Sequence, residues 1–226
     1  MEKRYLKNEQ MLSREENLSL REKRVAVIGC GGLGGHILEQ LARLGIGYIT
    51  AMDGDVFDET NLNRQLLCHT RNIGRSKALE ALEHLQRVNP GVQVQAIDCL
   101  LTPENALTVL AGHDAICDAL DNMPSRMLLQ QSAQSLGLPL VYGAIAGWYG
   151  QVTTLMPGDS MLESIFQGGN ERGIETELGN PAFTPALVAS IQVAEVVKIL
   201  TGKGELLRKR MLMINTLDQE YEVFDF

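Results

Sequence analysis

From Arg24 to Ile145 the chain alternates short apolar runs with helical patterns, and no other feature limits its possible folds as tightly. "RVAVIG" reads as a buried strand, and "LGGHILEQLARLG" as a helix that Gly45 ends. "GYITAMD" is a second strand, and "IGRSKALEALEHLQRVN" an amphipathic helix stopped by Asn89-Pro90. The pattern continues with "VQVQAID", "PENALTVLA", "DAICDAL", "PSRMLLQQSAQSLG" and "PLVYGAI", taken as strand, short helix, strand, helix and strand. Parallel strands need crossover helices, and a parallel sheet must be covered on both faces. The alternation therefore predicts an α/β fold with a mostly parallel sheet and helices on both sides.

After Gly147 the pattern changes. "YGQVTTLMP" alternates like a strand exposed on one side, which predicts an antiparallel neighbour. Residues 158–182 carry glycines and charges with little periodicity and read as a long loop. "TPALVASIQVAEVVKILTG" is an almost wholly apolar helix, hence a core or interface helix, and "RMLMIN" and "EYEVFDF" predict a closing hairpin. Ahead of the first strand, residues 5–22 look helical and polar, with Leu6, Met11, Leu12, Leu18 and Leu20 as apolar anchors. Such an arm must dock on its own domain or on a second subunit.

A chain of 226 residues supports one sizeable core and a single domain. Its net charge of −8 argues against a general nucleic-acid or membrane-surface binder, which needs a basic footprint. No apolar run reaches the roughly 18 residues needed to span a bilayer, and the charged N-terminus carries no signal-peptide pattern, so a cytoplasmic location is expected. Cys30, Cys68, Cys99 and Cys117 are scattered, without the spacing of a zinc knuckle or redox pair, and each reads as core filler. His36, His69, His84 and His113 show no metal or triad spacing either.

Gly29, Gly31 and Gly34 form a GxGxxG turn between the first strand and its helix. Glycines there allow a tight turn and close backbone approach, and the helix start offers free N–H groups to a phosphate. The flanking strand and helix favour nucleotide binding over a ligand-free tight turn, and the motif alone does not choose the nucleotide. Asp53, about 20 residues on at the end of the second strand, is placed to accept ribose hydroxyls. Asp55 reads as a loop residue.

The choice of nucleotide turns on "ETNLNRQLL", which brings Asn61, Asn63, Arg64 and Gln65 to the sheet's carboxyl edge. Lys77 stands near the start of the next helix. Taken alone it reads as a surface cation; beside Arg64 it suits phosphate chemistry, in which cations neutralise charge growing on phosphate oxygens. Asp121 follows the fourth strand, where a carboxylate facing phosphates holds Mg²⁺. Asp118 lies within the strand and reads as structural, and Asn122 as a helix cap.

Together, "VIGCGGLGG", "DGDVFDETNLNRQ", "IGRSKA" and "DALDN" resemble the ThiF/MoeB/HesA family, the bacterial relatives of ubiquitin-activating enzymes. "GAIAGWYGQVTTLMPG" and the later apolar helix extend the resemblance to the C-terminus. It implies a Rossmann-like sheet extended by antiparallel strands, in a single adenylation domain over residues 1–226. Within it, 1–22 form the arm, 23–146 the nucleotide-binding half, and 147–226 an extension containing a crossover loop at 158–182. It further implies ATP and Mg²⁺, with Gly32 and its neighbouring glycines at the phosphates, Asp53 on the ribose, and Asn61, Asn63, Arg64 and Gln65 lining the triphosphate. Asn122 belongs to the same implied site. Lys77 would stabilise phosphates during transfer, and Asp121 would hold Mg²⁺.

The implied reaction is adenylation of the C-terminal glycine of a small ubiquitin-like sulfur-carrier protein ending in Gly-Gly, by a homodimer, with no role for nucleic acid or membrane. The chain departs from the family pattern in three ways. It lacks the zinc-binding cysteine pairs, so no zinc is expected. It lacks a crossover-loop cysteine, so no covalent protein adduct is expected. Its arm reads "RYLKN", with Lys7 where the family carries an arginine. Competing readings are adenylation of a peptide or a tRNA nucleoside, an NAD-dependent oxidoreductase, and a non-catalytic nucleotide scaffold.

Overall fold

The structure, a computed structural model, describes residues 2–159 and 178–226. The elements in chain order are α1 (Arg14–Ser19), β1 (Arg24–Ile28), α2 (Gly32–Leu44), β2 (Tyr48–Met52), α3 (Lys77–Val88) and β3 (Gln93–Ile97). There follow α4 (Ala106–Leu110), β4 (Ala115–Asp118), α5 (Met123–Leu136), β5 (Leu140–Ala146) and β6 (Tyr149–Leu155). The chain ends with α6 (Phe183–Thr201), β7 (Arg210–Asn215) and β8 (Glu220–Asp225).

The eight strands form one sheet in the order β3-β2-β1-β4-β5-β6-β7-β8. The first five are parallel, and β6, β7 and β8 each pair antiparallel with the strand before. This is the architecture expected from the apolar periodicity. The order reverses between β1 and β4, and ligands of open α/β sheets gather at the carboxyl ends there.

Each central strand feeds two cores. Val25 and Val27 of β1 pack with Ile37 and Leu41 of α2 and Val188 of α6, while Ala26 and Ile28 face Leu129 and Ala133 of α5. Side chains of a strand point alternately to the two sheet faces, so a strand buried on both has no polar positions to spare.

Helix α6 is 19 residues long and apolar enough by length and composition to cross a membrane, against the expectation that no segment would be. It lies on the sheet, and its three buried polar residues, Thr184, Gln192 and Glu195, are all hydrogen-bonded, Thr184 Oγ1 donating to the Gly147 carbonyl at 2.7 Å. Gln192 donates from Nε2 to the Asp118 carbonyl at 2.9 Å and the Val141 carbonyl at 3.3 Å. Glu195 accepts from Thr154 Oγ1 at 2.6 Å and from the Leu207 amide at 2.8 Å.

The N-terminal arm is not the continuous helix expected. A 3₁₀ turn over Lys3–Asn8 is separated from α1 by Gln10, whose φ is 78°. Ser13 and Glu16 then close a capping box that starts α1 afresh. The arm docks on its own domain. Tyr5 is buried where Gly45 ends α2, and its hydroxyl accepts from Asn89 Nδ2 at 2.7 Å. Lys7 is exposed.

Most of the long loop expected at 158–182 lies outside the described residues. Its described flanks are tied down: Arg208 clasps Asp159 through Nε and Nη2 at 2.9 and 3.0 Å, and the Gly147 amide donates to the Gly179 carbonyl at 2.7 Å.

Candidate active site at the carboxyl ends of the strands

The turn from β1 into α2 is built by glycines with different duties. Gly29 has a φ of +99°, and a Cβ there would lie 2.5 Å from the Ala119 carbonyl oxygen. A Cβ on Gly34 would lie 1.8 Å from the Gly29 carbonyl oxygen. These two glycines let the helix and the β4 loop close onto the turn. Gly31 and Gly32 instead have room for a Cβ, which would make only ordinary contacts, no nearer than 3.6 Å, with Gln65 at the first and Pro185 and Arg64 at the second. The free N–H groups of the first turn of α2 open onto the same side, where an anion is favoured.

A cleft runs from this turn across the carboxyl ends of the strands. Gly31, Gly32, Asp53, Arg64, Lys77 and Asp121 are among its lining residues, as are Gly29, Gln65 and Asn122. The structure thus brings together residues that are far apart in sequence. Asn61, Asn63 and Gly34 are not among the lining residues.

Asp53, at the end of β2, is pinned by two backbone amides: Cys30 N–H donates to Oδ2 at 2.7 Å and Asp55 N–H to Oδ1 at 2.8 Å. Burial pushes its carboxyl above the ordinary value, against the hydrogen bond from Cys30 and the charge of Lys77. A carboxylate keeps further lone pairs beyond these two bonds, so the oxygens remain able to accept hydroxyl donors.

Lys77 is the first residue of α3 and only 8% exposed. Its Nζ sits 3.0 Å from Asp55 Oδ2. Lysine is buried when it is paired. The surface-cation reading of Lys77 and the loop-residue reading of Asp55 are therefore both corrected. The pairing spans 22 positions and brings a loop into register with a helix start, which no local pattern announces.

Arg64 flanks Gly32, and its Nη1 donates to the Thr60 carbonyl at 3.1 Å and Asn63 Oδ1 at 2.9 Å. Asn61 closes a capping box with Asp58, accepting from the Asp58 amide at 3.0 Å. Asn63 donates to the Asn180 carbonyl at 3.0 Å. Both asparagines thus shape the loop that presents Arg64. Gln65 is 6% exposed against Gly31, and its Oε1 has no hydrogen-bond partner among the described residues. A buried amide oxygen left open at a cleft wall is ready to accept from a ligand.

On the far wall, Asp121 and Asn122 follow β4 and are exposed. Asn122 Oδ1 accepts from the Ser125 amide at 3.0 Å and caps α5, as its position suggested, while its Nδ2 donates to Asp121 Oδ1 at 3.2 Å. Asp118 is fully buried, and burial raises its carboxyl above the ordinary value while the Arg126 charge opposes the shift.

Sequence reasoning missed Arg126, which lines the cleft and lies over the Tyr142 ring at 4.9 Å. A usable signal existed: a buried aspartate in a strand needs a cation, and Arg126 is the next basic residue after Asp118. Leu100 and Leu101 supply an apolar wall. Cys99 also lines the cleft and is exposed, so it is not the core filler expected; Cys30 and Cys117 are buried. Among the described residues no group of three or more His, Cys, Asp or Glu side chains is placed to hold a metal ion.

Comparison with known proteins identifies the family and the fold. The ThiF family profile matches residues 5–226, and the chain belongs to that family. It is 34% identical over 210 residues to the SAMP-activating enzyme E1 of Haloferax volcanii, covering 92% of this chain and 78% of that protein. It is 36% identical over 211 residues to the sulfur carrier protein adenylyltransferase of Thermus thermophilus, covering 89% and 78%. With a probable adenylyltransferase/sulfurtransferase, MoeZ of Mycobacterium tuberculosis, it shares 35% over 214 residues, but this chain spans only 54% of that protein. Among solved structures, E. coli MccB with MccA-N7isoASN superposes with a TM-score of 0.84 at 20% identity, over 100% of this chain and 72% of that one. PaaA gives 0.79 at 21%, over 93% of this chain and 66% of that one. These two likenesses show the fold.

Proposed function

We propose that this member of the ThiF family is an adenylyltransferase that activates the C-terminal carboxylate of a small ubiquitin-like sulfur-carrier protein ending in Gly-Gly. One observation carries the reading. A helix N-terminus, a pinned ribose-type carboxylate (Asp53), two cations (Arg64 and Lys77) and a rim carboxylate (Asp121) all face one cleft. A dehydrogenase has no use for such a set of charges. The relatives from Haloferax volcanii and Thermus thermophilus, named for activating such carriers, supply the acceptor class.

In this reading the ribose of ATP sits on Asp53, and the phosphates lie over Gly31, Gly32 and the first turn of α2. The carrier's carboxylate attacks the α-phosphorus in line, an oxygen–phosphorus bond forms, and the bond to the departing pyrophosphate breaks. No protein nucleophile is required. Arg64 and Lys77 stabilise negative charge on the phosphate oxygens, and positioning supplies much of the rest. Asp55 holds Lys77 Nζ in place through their 3.0 Å pair.

Asp121 fits Mg²⁺, which takes one or two carboxylates with substrate phosphates and water and needs no all-protein cage. When bound, the ion would neutralise phosphate charge. Residues 158–182 contain no cysteine, so in this reading adenylation proceeds without a covalent adduct to that segment. The reading includes a homodimer in the cytoplasm. Met11 and Leu18 on the arm and the partly exposed side of α6 are the apolar surfaces a second copy would cover.

The test is direct. Incubated with ATP and Mg²⁺, a Gly-Gly-ending carrier should gain the mass of one adenylyl group (AMP less one water), and ATP with Mg²⁺ should raise the melting temperature of the enzyme where NAD does not. A carrier that stays unmodified while NAD stabilises the protein would overturn the reading.

A further inference from the structure

The sheet has a gap beside the proposed cation site. Strands β4 and β5 share only the pairs Ile116↔Leu140 and Cys117↔Val141 before they part. Beyond Cys117 the backbone that leads to Asp121 has no β5 ladder to set its path. Side chains bridge the gap from the two faces of the sheet. From α6, Gln192 donates to the carbonyls of Asp118 and Val141. From α5, Arg126 donates through Nη1 to the Gly143 carbonyl at 3.2 Å and through Nη2 to the Leu120 carbonyl.

Leu120 is held from both of its polar groups. Its N–H donates to Asp118 Oδ1 at 2.9 Å, while its carbonyl accepts from Arg126. Asp118 and Arg126 face each other, with Oδ2 and Nη1 3.9 Å apart and side chains 0% and 8% exposed. One buried ion pair thus grips both sides of the residue that immediately precedes Asp121. An arginine is suited to the task, because its planar fork donates to two carbonyls while its charge stays 3.9 Å from the Asp118 carboxylate, whereas a lysine offers one point of attachment.

We propose that the Asp118–Arg126 pair is a positioning device that fixes the Asp121 carboxylate for the divalent cation accompanying the nucleotide. The proposal rests on the functional reading above only in taking Asp121 as the ligand of that cation. Asp121 itself is exposed, and among the described residues its side chain bonds only to Asn122. Its position is therefore set by its backbone, which the Ala119 amide's bond to the Ile28 carbonyl holds as far as Ala119 and the clasp holds at Leu120. Groups that orient a metal ligand without touching the metal matter almost as much as the ligand, and their loss weakens metal binding by about 10–100-fold.

The experiment is ATP binding by calorimetry across a Mg²⁺ series and again in EDTA, for the parent, Arg126→Lys and Asp118→Asn, with the melting temperature of each recorded. Both substitutions keep most of the pair's volume. The half-saturating Mg²⁺ concentration is expected to rise about tenfold or more in Arg126→Lys, and in the same direction in Asp118→Asn, with ATP affinity in EDTA unchanged. Mn²⁺ bound in the presence of ATP, counted by electron paramagnetic resonance, should fall in parallel. Unchanged Mg²⁺ dependence in Arg126→Lys, or an equal loss of affinity in EDTA, would overturn the proposal and leave the pair a general support of the fold. Because the readout is binding, a parent that binds Mg²⁺–ATP but adenylates no carrier would refute the functional reading and not the clasp.

Discussion

Alanine at Gly34 would place a methyl carbon 1.8 Å from the Gly29 carbonyl oxygen, and real Cβ contacts below 3.0 Å essentially do not occur. Either α2 must lift from the β1 turn by more than an ångström, or the turn must give. The turn has little room, since a Cβ at Gly29 is itself only 2.5 Å from the Ala119 oxygen. Helix α2 also carries Ile37, Leu38 and Leu41, all fully buried, so a shift of its first turn disturbs the larger core. Overpacking of this kind costs about 1–3 kcal/mol, which in a chain of this size lowers the melting temperature by about 3–10 °C. Gly32→Ala is the control, because its nearest neighbours would stand 3.6 Å away. Its stability should stay within about 0.5 kcal/mol of the parent, while its methyl group intrudes on the proposed phosphate position. The assay is thermal and guanidinium unfolding without ligand, followed by ATP titration. Equal melting of the two variants, or loss of ATP binding in Gly34→Ala alone, would refute the division of labour between the glycines.

Other expectations follow from single residues. Asn89 is 1% exposed and ties Tyr5 and Arg4 of the arm to the Ala42 carbonyl. Asn89→Ala should cost about 1–3 kcal/mol and expose the arm to trypsin at Lys3 and Lys7; unchanged unfolding and digestion would contradict this. Burial holds the His113 imidazole below its ordinary value, with the Leu110 carbonyl opposing. The unfolded chain then takes up a proton at higher pH than the folded one, so the stability tied to His113 is complete above about pH 6.5 and is lost as pH falls toward the folded value. His113→Gln should therefore show a smaller loss of stability between about pH 7.5 and about pH 5.5 than the parent; identical pH slopes would be contrary. Arg64→Ala and Lys77→Ala should each lower adenylation by about 10²-fold or more, the scale of removing a transition-state hydrogen-bond donor. A parent-like rate in either variant would remove that residue from the mechanism.

The parallel half of the fold was legible because its signals are local. Runs such as "VAVI" are apolar at every position, Gly45 and Gly137 end their helices in the left-handed conformation, and Ser76 and Asn122 cap theirs. The arm was misread because nothing in "KNEQML" marks the left-handed backbone at Gln10, although the Ser13–Glu16 capping box does mark a fresh helix start. Apolar counting alone underrated α6, whose Gln192 and Glu195 interrupt the run yet are buried through specific hydrogen bonds.

In the cleft, the residues legible from sequence sit at strand ends, at helix starts and on the loop after β2: Gly29, Gly31, Gly32, Asp53, Arg64, Gln65, Lys77, Asp121 and Asn122. What stayed hidden were pairings across the fold. Asp55 with Lys77 and Asp118 with Arg126 depend on which loop meets which helix, and periodicity does not carry that information. Asn61 and Asn63 were legible as polar loop residues, but their bonds to Asp58 and Asn180 keep their side chains on the loop that carries Arg64.

The central claim is that this cleft joins a carrier's terminal carboxylate to AMP. Exchange of labelled pyrophosphate into ATP tests it most directly, with a Gly-Gly-ending carrier supplied either with its free C-terminus or with that carboxylate amidated. Rapid exchange is predicted with the free carboxylate and none with the amide or without carrier. Exchange that ignores the carboxylate, or no exchange with any carrier while Mg²⁺–ATP binds tightly, would contradict it.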